Sequence, residues 1–332
     1  MSHSRPTTPM VPSLLGLALG GCEGVQSALS ASGDEAHDIR LLLWIAGAVC
    51  AATLVLVLVF GILAFNGSAR VRAWIARDQL IVSGGLVLPV VVLSGLLAYA
   101  LLVLQAGAAR SAFAGEPSVT IIGKRWWWKV IYRDSEGREV VSANELRLPL
   151  GQPISLRLIT DDVIHSFWAP KLAGKLDMIP GRTNVLTVQS NEVGVSRGQC
   201  AEYCGGAHAL MAFYVVTLPE EEYQAWLARE ASKALPPATE AEKRGHAVFV
   251  ESGCGACHTI RGTEARGTIG PDLTHVGSRM SLAAATLPND ANSFARWITD
   301  NQHIKPENLM PPFRHFKAGE LDTLANYLDS LK

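Results

Sequence analysis

Two stretches, Leu41–Phe65 and Leu80–Leu104, each run 25 residues without a charged side chain. About 20 apolar residues cross the hydrocarbon core of a bilayer, and soluble core helices of this length, uncharged on every face, would be unusual. The two runs are therefore read as a transmembrane hairpin, with helices at about 41–65 and 80–104 inside a segment 40–105. They dominate the mean hydropathy of +0.20. Pro89 in the second run is tolerable there, because neighbouring groups in a membrane helix re-satisfy the freed carbonyl. Between the runs stand Arg70, Arg72 and Arg77 against the single acid Asp78. The positive-inside rule assigns that loop to the cytoplasm, which puts both chain ends, and everything after about residue 105, on the outer side of the membrane. With 332 residues and a net charge of -1, the chain has room for two or three domains and offers no basic surface for nucleic acid.

Residues 1–22 read as a targeting segment. Val11–Gly20 is a short apolar stretch after Arg5, too short to span. Leu19-Gly20-Gly21-Cys22 resembles a bacterial lipoprotein processing box, with Cys22 acylated; the alternative is an ordinary cleavable signal with an incidental cysteine. Export to an oxidising compartment would normally turn six cysteines into disulfides. Here four sit in ligand-like motifs and Cys50 falls in an apolar run.

After the membrane segment the pattern changes. From Ser118 to Leu218 short runs rich in Val, Ile, Thr and Trp are separated by turn residues. Asp134–Gly137 divides two runs as a hairpin turn would. Ile154, Leu156 and Leu158 alternate with Ser155 and Arg157 at the period of a half-buried strand. This predicts an all-β sandwich over 113–218. Residues 219–237 read as a linker, a charged helix and then a break at Leu235-Pro236-Pro237. Thr239 and Glu242 form a capping-box pattern that opens a helix toward Ser252. Further helices are expected around Phe294, Trp297 and Ile298, and over 318–331, which makes 238–332 a small, mostly helical domain.

Two clusters carry the chemistry. Cys200, Cys204, His208 and Met211 fall within twelve residues. Soft thiolate and thioether ligands suit copper, zinc or iron, and the thioether argues for copper over zinc. A loop with one Cys, one His and one Met serves a mononuclear copper site completed by a second His. The extra thiol would allow two coppers to be bridged, and His165 is available as the missing imidazole. A structural zinc site is the plainer alternative. Further on, Cys254-Gly-Ala-Cys257-His258 has the C-x-x-C-H spacing for covalent c-type haem.

Cys200-x-Glu202-x-Cys204-x-x-x-His208-x-x-Met211, the upstream Asp162-Val163-x-His165-Ser166 and the two-helix hairpin together resemble subunit II of haem–copper cytochrome c oxidases, over residues 40–218. The resemblance implies a cupredoxin-like domain whose binuclear copper A is held by His165, Cys200, Cys204, His208, Met211 and the Glu202 backbone carbonyl. It further implies that the Glu202 carboxylate reaches a magnesium shared with subunit I. Gly123–Trp128 resembles the family's aromatic stretch, in which Trp126 would be the surface point where electrons enter. On a strand Trp126 and Trp128 would share one face and Trp127 the other; the plainer reading is three tryptophans covering core and membrane interface. Lys175–Arg182 matches the segment facing subunit I, with Asp177 and Arg182 lining that interface. One departure stands out. Many members carry a glutamate near the start of the second membrane helix for proton entrance, whereas Leu80–Gly85 has no acid.

Lys305–Pro311 looks like the axial-methionine loop of class I cytochromes c. Cys254 and Cys257 would form the thioethers, His258 the proximal bond and Met310 the distal one, with His303 as rival and His275 and His315 as core or solvated histidines. A thioether ligand raises the haem potential relative to bis-His ligation. The leading expectation is an electron-transfer subunit of a proton-pumping cytochrome c oxidase in a bacterial cell membrane. Its partners would be subunit I (haem a, copper B), subunit III, a soluble or membrane cytochrome c donor, and lipid. Oxygen would be reduced on another chain. A carrier serving a nitrous oxide or nitric oxide reductase is the second reading, and a copper-delivery or redox-sensing protein the third.

Overall fold

A computed structural model describes residues 24–113, 116–134, 136–317 and 319–332, so Cys22 and the targeting segment lie outside the described residues. The apolar runs are helices α1 (Asp34–Asn66) and α4 (Leu88–Phe113), joined by the short helices α2 (Ala69–Ile75) and α3 (Asp78–Val82). Ser68 caps α2 by accepting the Val71 N–H. Between α3 and α4 the chain widens into a π turn at Ser83–Val87. Pro89 follows at once, and a widened turn is a common way to relieve the clash of a proline ring with the preceding turn. In neither long helix is any residue of the most apolar 18-residue window buried. Residues 35–113 form one compact unit; 24–34 and 116–332 form another.

In the second unit, residues 118–218 fold as two five-stranded sheets. One has the order β3-β2-β1-β5-β8, the other β4-β10-β9-β6-β7. The first contains β1 (Val119–Lys124), β2 (Trp127–Arg133), β3 (Glu139–Ala143), β5 (Ile154–Thr160) and β8 (Asn184–Val188). The second contains β4 (Glu145–Pro149), β6 (His165–Trp168), β7 (Leu176–Met178), β9 (Gly194–Cys200) and β10 (Ala212–Leu218). Alternation explains the packing: Val119 and Ile121 on β1, and Trp128, Val130 and Tyr132 on β2, are buried between the sheets. The stretch before the first membrane helix also belongs here. Ser32 and Gly33 donate backbone N–H bonds to Lys171 O, and Asn191 donates one to Ser32 O.

The expected linker 219–237 is only partly a tether. Its first half is helix α5 (Glu220–Ala231), whose Tyr223, Trp226 and Leu227 join the sandwich core. Trp226 packs edge-on against Tyr132 at 5.0 Å. The charged composition hid this apolar face, because three aromatic or aliphatic side chains on one stripe suffice to dock a three-turn helix.

Residues 239–332 form the helical domain. The Thr239–Glu242 capping box opens α6 (Glu240–Glu251), with both reciprocal bonds made. α7 (Ala291–Ile304) and α8 (Glu320–Ser330) follow, and a two-strand ribbon, β11 (Ser281–Leu282) and β12 (Leu287–Pro288), precedes α7. Its core (Phe249, Phe294, Ile298, Leu324, Tyr327, Leu328) is separate from that of the sandwich. α6 and α8 approach closely at Gly245, where an added Cβ would lie 2.2 Å from Thr323 O and 2.6 Å from Tyr327 Cβ. Gly245→Ala gains at most about 1 kcal/mol of helix propensity. It must also push a helix backbone aside, an overpacking cost of about 1–3 kcal/mol. Net destabilisation is expected, read as a lower guanidinium midpoint for this domain.

Candidate metal centre and haem cleft

The ligand-type residues converge at one end of the β4-β10-β9-β6-β7 sheet. His165 opens β6 and Cys200 closes β9; the strands pair antiparallel, with Phe167 opposite Cys200. Cys204 and His208 lie in the β9–β10 loop, and Met211 immediately precedes β10. Beneath them Phe167 and Phe213 stack at 4.8 Å, and Trp128 meets Phe213 at 5.2 Å. This aromatic floor fixes the strand ends from which the ligands project.

Cys200 Sγ and Cys204 Sγ stand 3.8 Å apart as free thiols. His165 Nδ1 is 3.8 Å from Cys200 Sγ, His208 Nδ1 3.4 Å from Cys204 Sγ, and Met211 Sδ 3.9 Å from Cys204 Sγ. Glu202 O lies 3.2 Å from Cys200 Sγ. The donor atoms of His165, Cys200 and Cys204 all fall within 4.8 Å of one another. Two sulfurs bound at ~2.3 Å to one tetrahedral metal would be separated by about 3.7 Å, so the spacing fits a shared ion. The donor set also fits copper better than zinc, because a fully buried thioether faces the thiols. The Cys204 thiol beside it pulls Cys200 well below the ordinary thiol range. Cys204 itself is pushed far above the ordinary thiol range by Cys200 and by burial. The pair thus retains one proton in a place where a cation can replace it.

The surrounding shell holds residues that had no role assigned from the motifs. Asp162, in the β5–β6 turn, accepts from His165 Nε2 at 2.8 Å, which leaves Nδ1 turned toward the sulfurs. Burial opposes its ionisation, but this bond and the backbone N–H groups of Arg125 and Val163 hold the carboxyl at about 2. Gly123 lacks the Cβ that would sit 2.8 Å from the His165 ring. A carboxylate three residues before a ligand histidine is a readable signal for Asp162; nothing in the sequence marks Gly123. The Glu202 carboxylate lies 3.8 Å from Lys175 and is 43% exposed. Lys175 also pairs with Asp177 at 2.9 Å, while Arg182 is exposed.

The aromatic stretch departs from expectation. Gly123–Trp128 is not one strand: Arg125 and Trp126 form a two-residue hairpin turn, with Lys124 opposite Trp127. Trp126 is not a surface residue either, being 4% exposed. Its ring Nε1 donates to Cys204 O at 3.1 Å, and the helical domain covers its other side.

That domain contains an apolar cleft lined by Cys254, Cys257, His258, Met310, Phe294 and Leu324, with Arg125, Trp126 and Trp127 of the sandwich forming part of its wall. His258 Nδ1 donates to Pro271 O at 2.8 Å, leaving Nε2 free for iron; burial lowers its pKa and keeps the ring neutral. Gly270 packs on this ring, where a Cβ would lie 2.4 Å from Cε1. The cleft, its thiols and the neutral imidazole fit a covalent haem. Met310 lines the cleft, whereas His303 and His315 are exposed and His275 is buried near Ser232 O.

Asp162→Ala removes the acceptor that orients His165. Loss of such an outer-shell partner lowers metal affinity by about 10–100-fold. Copper titration of the metal-free protein is expected to show that loss, with far-ultraviolet circular dichroism unchanged.

Comparison with known proteins agrees with this geometry. Residues 118–218 match the family described as "Cytochrome C oxidase subunit II, periplasmic domain", and residues 242–332 that described as "Cytochrome c". Cytochrome c oxidase subunit 2 of Alkalihalophilus pseudofirmus is 37% identical over 215 residues, covering 64% of this chain and 61% of that protein. The subunit 2 of Bacillus sp. PS3 is 31% identical over 225 residues, covering 64% and 62%. The chain spans about three fifths of the length of these relatives. Among solved structures, the periplasmic domain of subunit II of cytochrome oxidase of Bradyrhizobium japonicum is 29% identical, covering 35% of this chain and 93% of its own, with a TM-score of 0.33. Residues 118–218 are thus similar to the periplasmic domain of cytochrome c oxidase subunit II, and residues 242–332 to cytochrome c.

Proposed function

We propose that the chain is the electron-transfer subunit of a cytochrome c oxidase. A covalent haem c would supply the uptake of electrons and a binuclear copper A their delivery to haem a of subunit I, where dioxygen would be reduced to water with proton pumping. Cys254, Cys257, His258 and Met310 would hold the haem; His165, Cys200, Cys204, His208, Met211 and the Glu202 carbonyl would hold the copper pair. The observation that carries this reading is the shared wall. Trp126 lines the haem cleft on one side and hydrogen-bonds the Cys204 carbonyl on the other, so the two sites meet across one side chain. Trp126 is thus the residue through which electrons enter the copper domain, and they arrive from the attached cytochrome rather than from a soluble donor docked on its face.

The rest of the chain serves this task. Aromatic packing under β6, β9 and β10 limits ligand movement, which keeps the reorganisation accompanying each redox change small. Asp162 holds the His165 tautomer, and the Pro271 carbonyl holds that of His258. The exposed Glu202 carboxylate, with Lys175 and Asp177, would face subunit I and the magnesium shared with it. The protein would be multi-pass in a bacterial cell membrane through α1 and α4, with both redox domains on the outer side. Subunit III and a cytochrome c donor complete the expected partners.

The test is copurification. The solubilised chain should bring with it a many-helix partner bearing a-type haem; isolation alone, or with a nitrous oxide or nitric oxide reductase, would overturn the assignment. In addition, Cys204→Ser should abolish the near-infrared copper absorption while leaving the haem c spectrum intact. Loss of both signals would mark a folding defect.

A further inference from the structure

The seam between the sandwich and the cytochrome domain is organised around one buried lysine side chain. Lys305 is 3% exposed, and its Nζ donates to three backbone carbonyls: Trp126 O, Leu210 O at 3.0 Å and Ala283 O at 3.2 Å. Trp126 belongs to the β1–β2 turn, and Leu210 lies between His208 and Met211 in the copper loop. Ala283 lies in the β11–β12 turn of the cytochrome domain itself. An ammonium has three N–H donors and no acceptor, so this site satisfies it completely. The residue is also well anchored on its own side. It caps α7 through its N–H to Asn301 O at 2.8 Å, and Asn308 donates its Nδ2 to Lys305 O at 2.7 Å while its Oδ1 accepts from Met310 N at 2.9 Å.

Further bonds run along the same seam. Ala212 N donates to Ala284 O at 3.3 Å, Thr286 Oγ1 to Leu210 O at 3.4 Å, and Met280 N to the buried Glu145 carboxylate. Ala283, Ala284 and Ala285 hold φ of 53°, 60° and 58°, a left-handed turn that alanine does not adopt without surrounding constraint. Glu307, also at positive φ, approaches Gly206 of the copper loop so closely that a Cβ there would lie 2.6 Å from Oε2. At the far end, Arg261 pairs with Asp272 at 2.7 Å and donates to Val141 O at 3.3 Å on β3.

The geometry points to Lys305 as a positioning residue: its three-carbonyl clamp locks the cytochrome domain onto the copper loop, so that the domain stays docked with its cleft against Trp126 instead of swinging on the linker. This rests on the proposed electron-transfer reading only for its consequence, not for the clamp itself. Removing the ammonium takes a donor from three buried carbonyls on two domains at once and leaves the single hydroxyl of Thr286 to serve both Leu210 O and Ala283 O; buried acceptors short of donors are costly.

The test uses the full-length, haem-loaded protein and the variants Lys305→Met and Lys305→Gln. Amide hydrogen exchange over 204–212 and 281–287 should quicken by about tenfold or more, because opening the seam becomes a low-energy local event. Exchange in α6 and α8 and the methionine–iron charge-transfer band should stay as in the parent. Electron equilibration between haem and copper should slow and become viscosity-dependent in the variants. Unchanged exchange at the seam in both variants would overturn the proposal. So would equal quickening of α6 and α8 in both, which would make Lys305 a general stabiliser. A protected seam in the parent without any electron equilibration would instead sink the electron-transfer reading and leave the clamp standing.

Discussion

Two free thiols 3.8 Å apart define the centre around which the sandwich is arranged. One comes from the end of a strand and the other from the loop that follows it, so their approach is set by the β9–β10 hairpin. Neither sulfur could be held there without help. The stacked pair Phe167–Phe213 and the edge-on Trp128 give β6, β9 and β10 a common rigid base. Asp162 fixes the His165 ring by accepting from its Nε2. A cation placed among these donors meets partners already in position, and little ordering entropy remains to oppose its binding.

The second domain is built onto that centre more than it is tied to it. Helix α5 packs its apolar face on the sandwich core, which shortens the connection to the few residues after Ala231, and Ser232 and Ala234 there are hydrogen-bonded to the cytochrome domain. The cytochrome then covers Trp126 and supplies a lysine to the carbonyls around it. The haem cleft therefore borrows part of its wall from the neighbouring domain, and the copper loop borrows part of its rigidity in return. Fusing two redox modules replaces a diffusive encounter with a fixed one, and the near-neutral charge of the chain is compatible with partners that need no steering field.

Much of the architecture was legible in the residues. The uncharged runs became α1 and α4, and the alternation around Ile154–Leu158 became β5. The Thr239–Glu242 pattern became a capping box with both bonds made. Each of these is a local rule that acts within one element. The misreadings share the opposite property. Trp126 was expected on a strand and at the surface, yet it occupies a turn and is buried, because its environment comes from residues 179 positions away. The linker was read as a charged helix and then a break, without the apolar face that packs it on strands lying far upstream. Asp162 was visible as part of a motif without a role, and Lys305 passed unnoticed before a proline in a haem-ligand loop.

Sequence alone determined the inventory: two spans, a strand-rich domain with soft ligands in one loop, and a helical domain with the thiol pair and histidine of a covalent haem. Those depend on composition and short-range spacing, which the chain carries in linear order. Tertiary structure alone decided the relation between the inventories: which imidazole nitrogen faces the sulfurs, which side chain separates cleft from loop, and which cation closes the seam. Such relations depend on hydrogen bonds and contacts between groups brought together only by folding, and no local pattern encodes them.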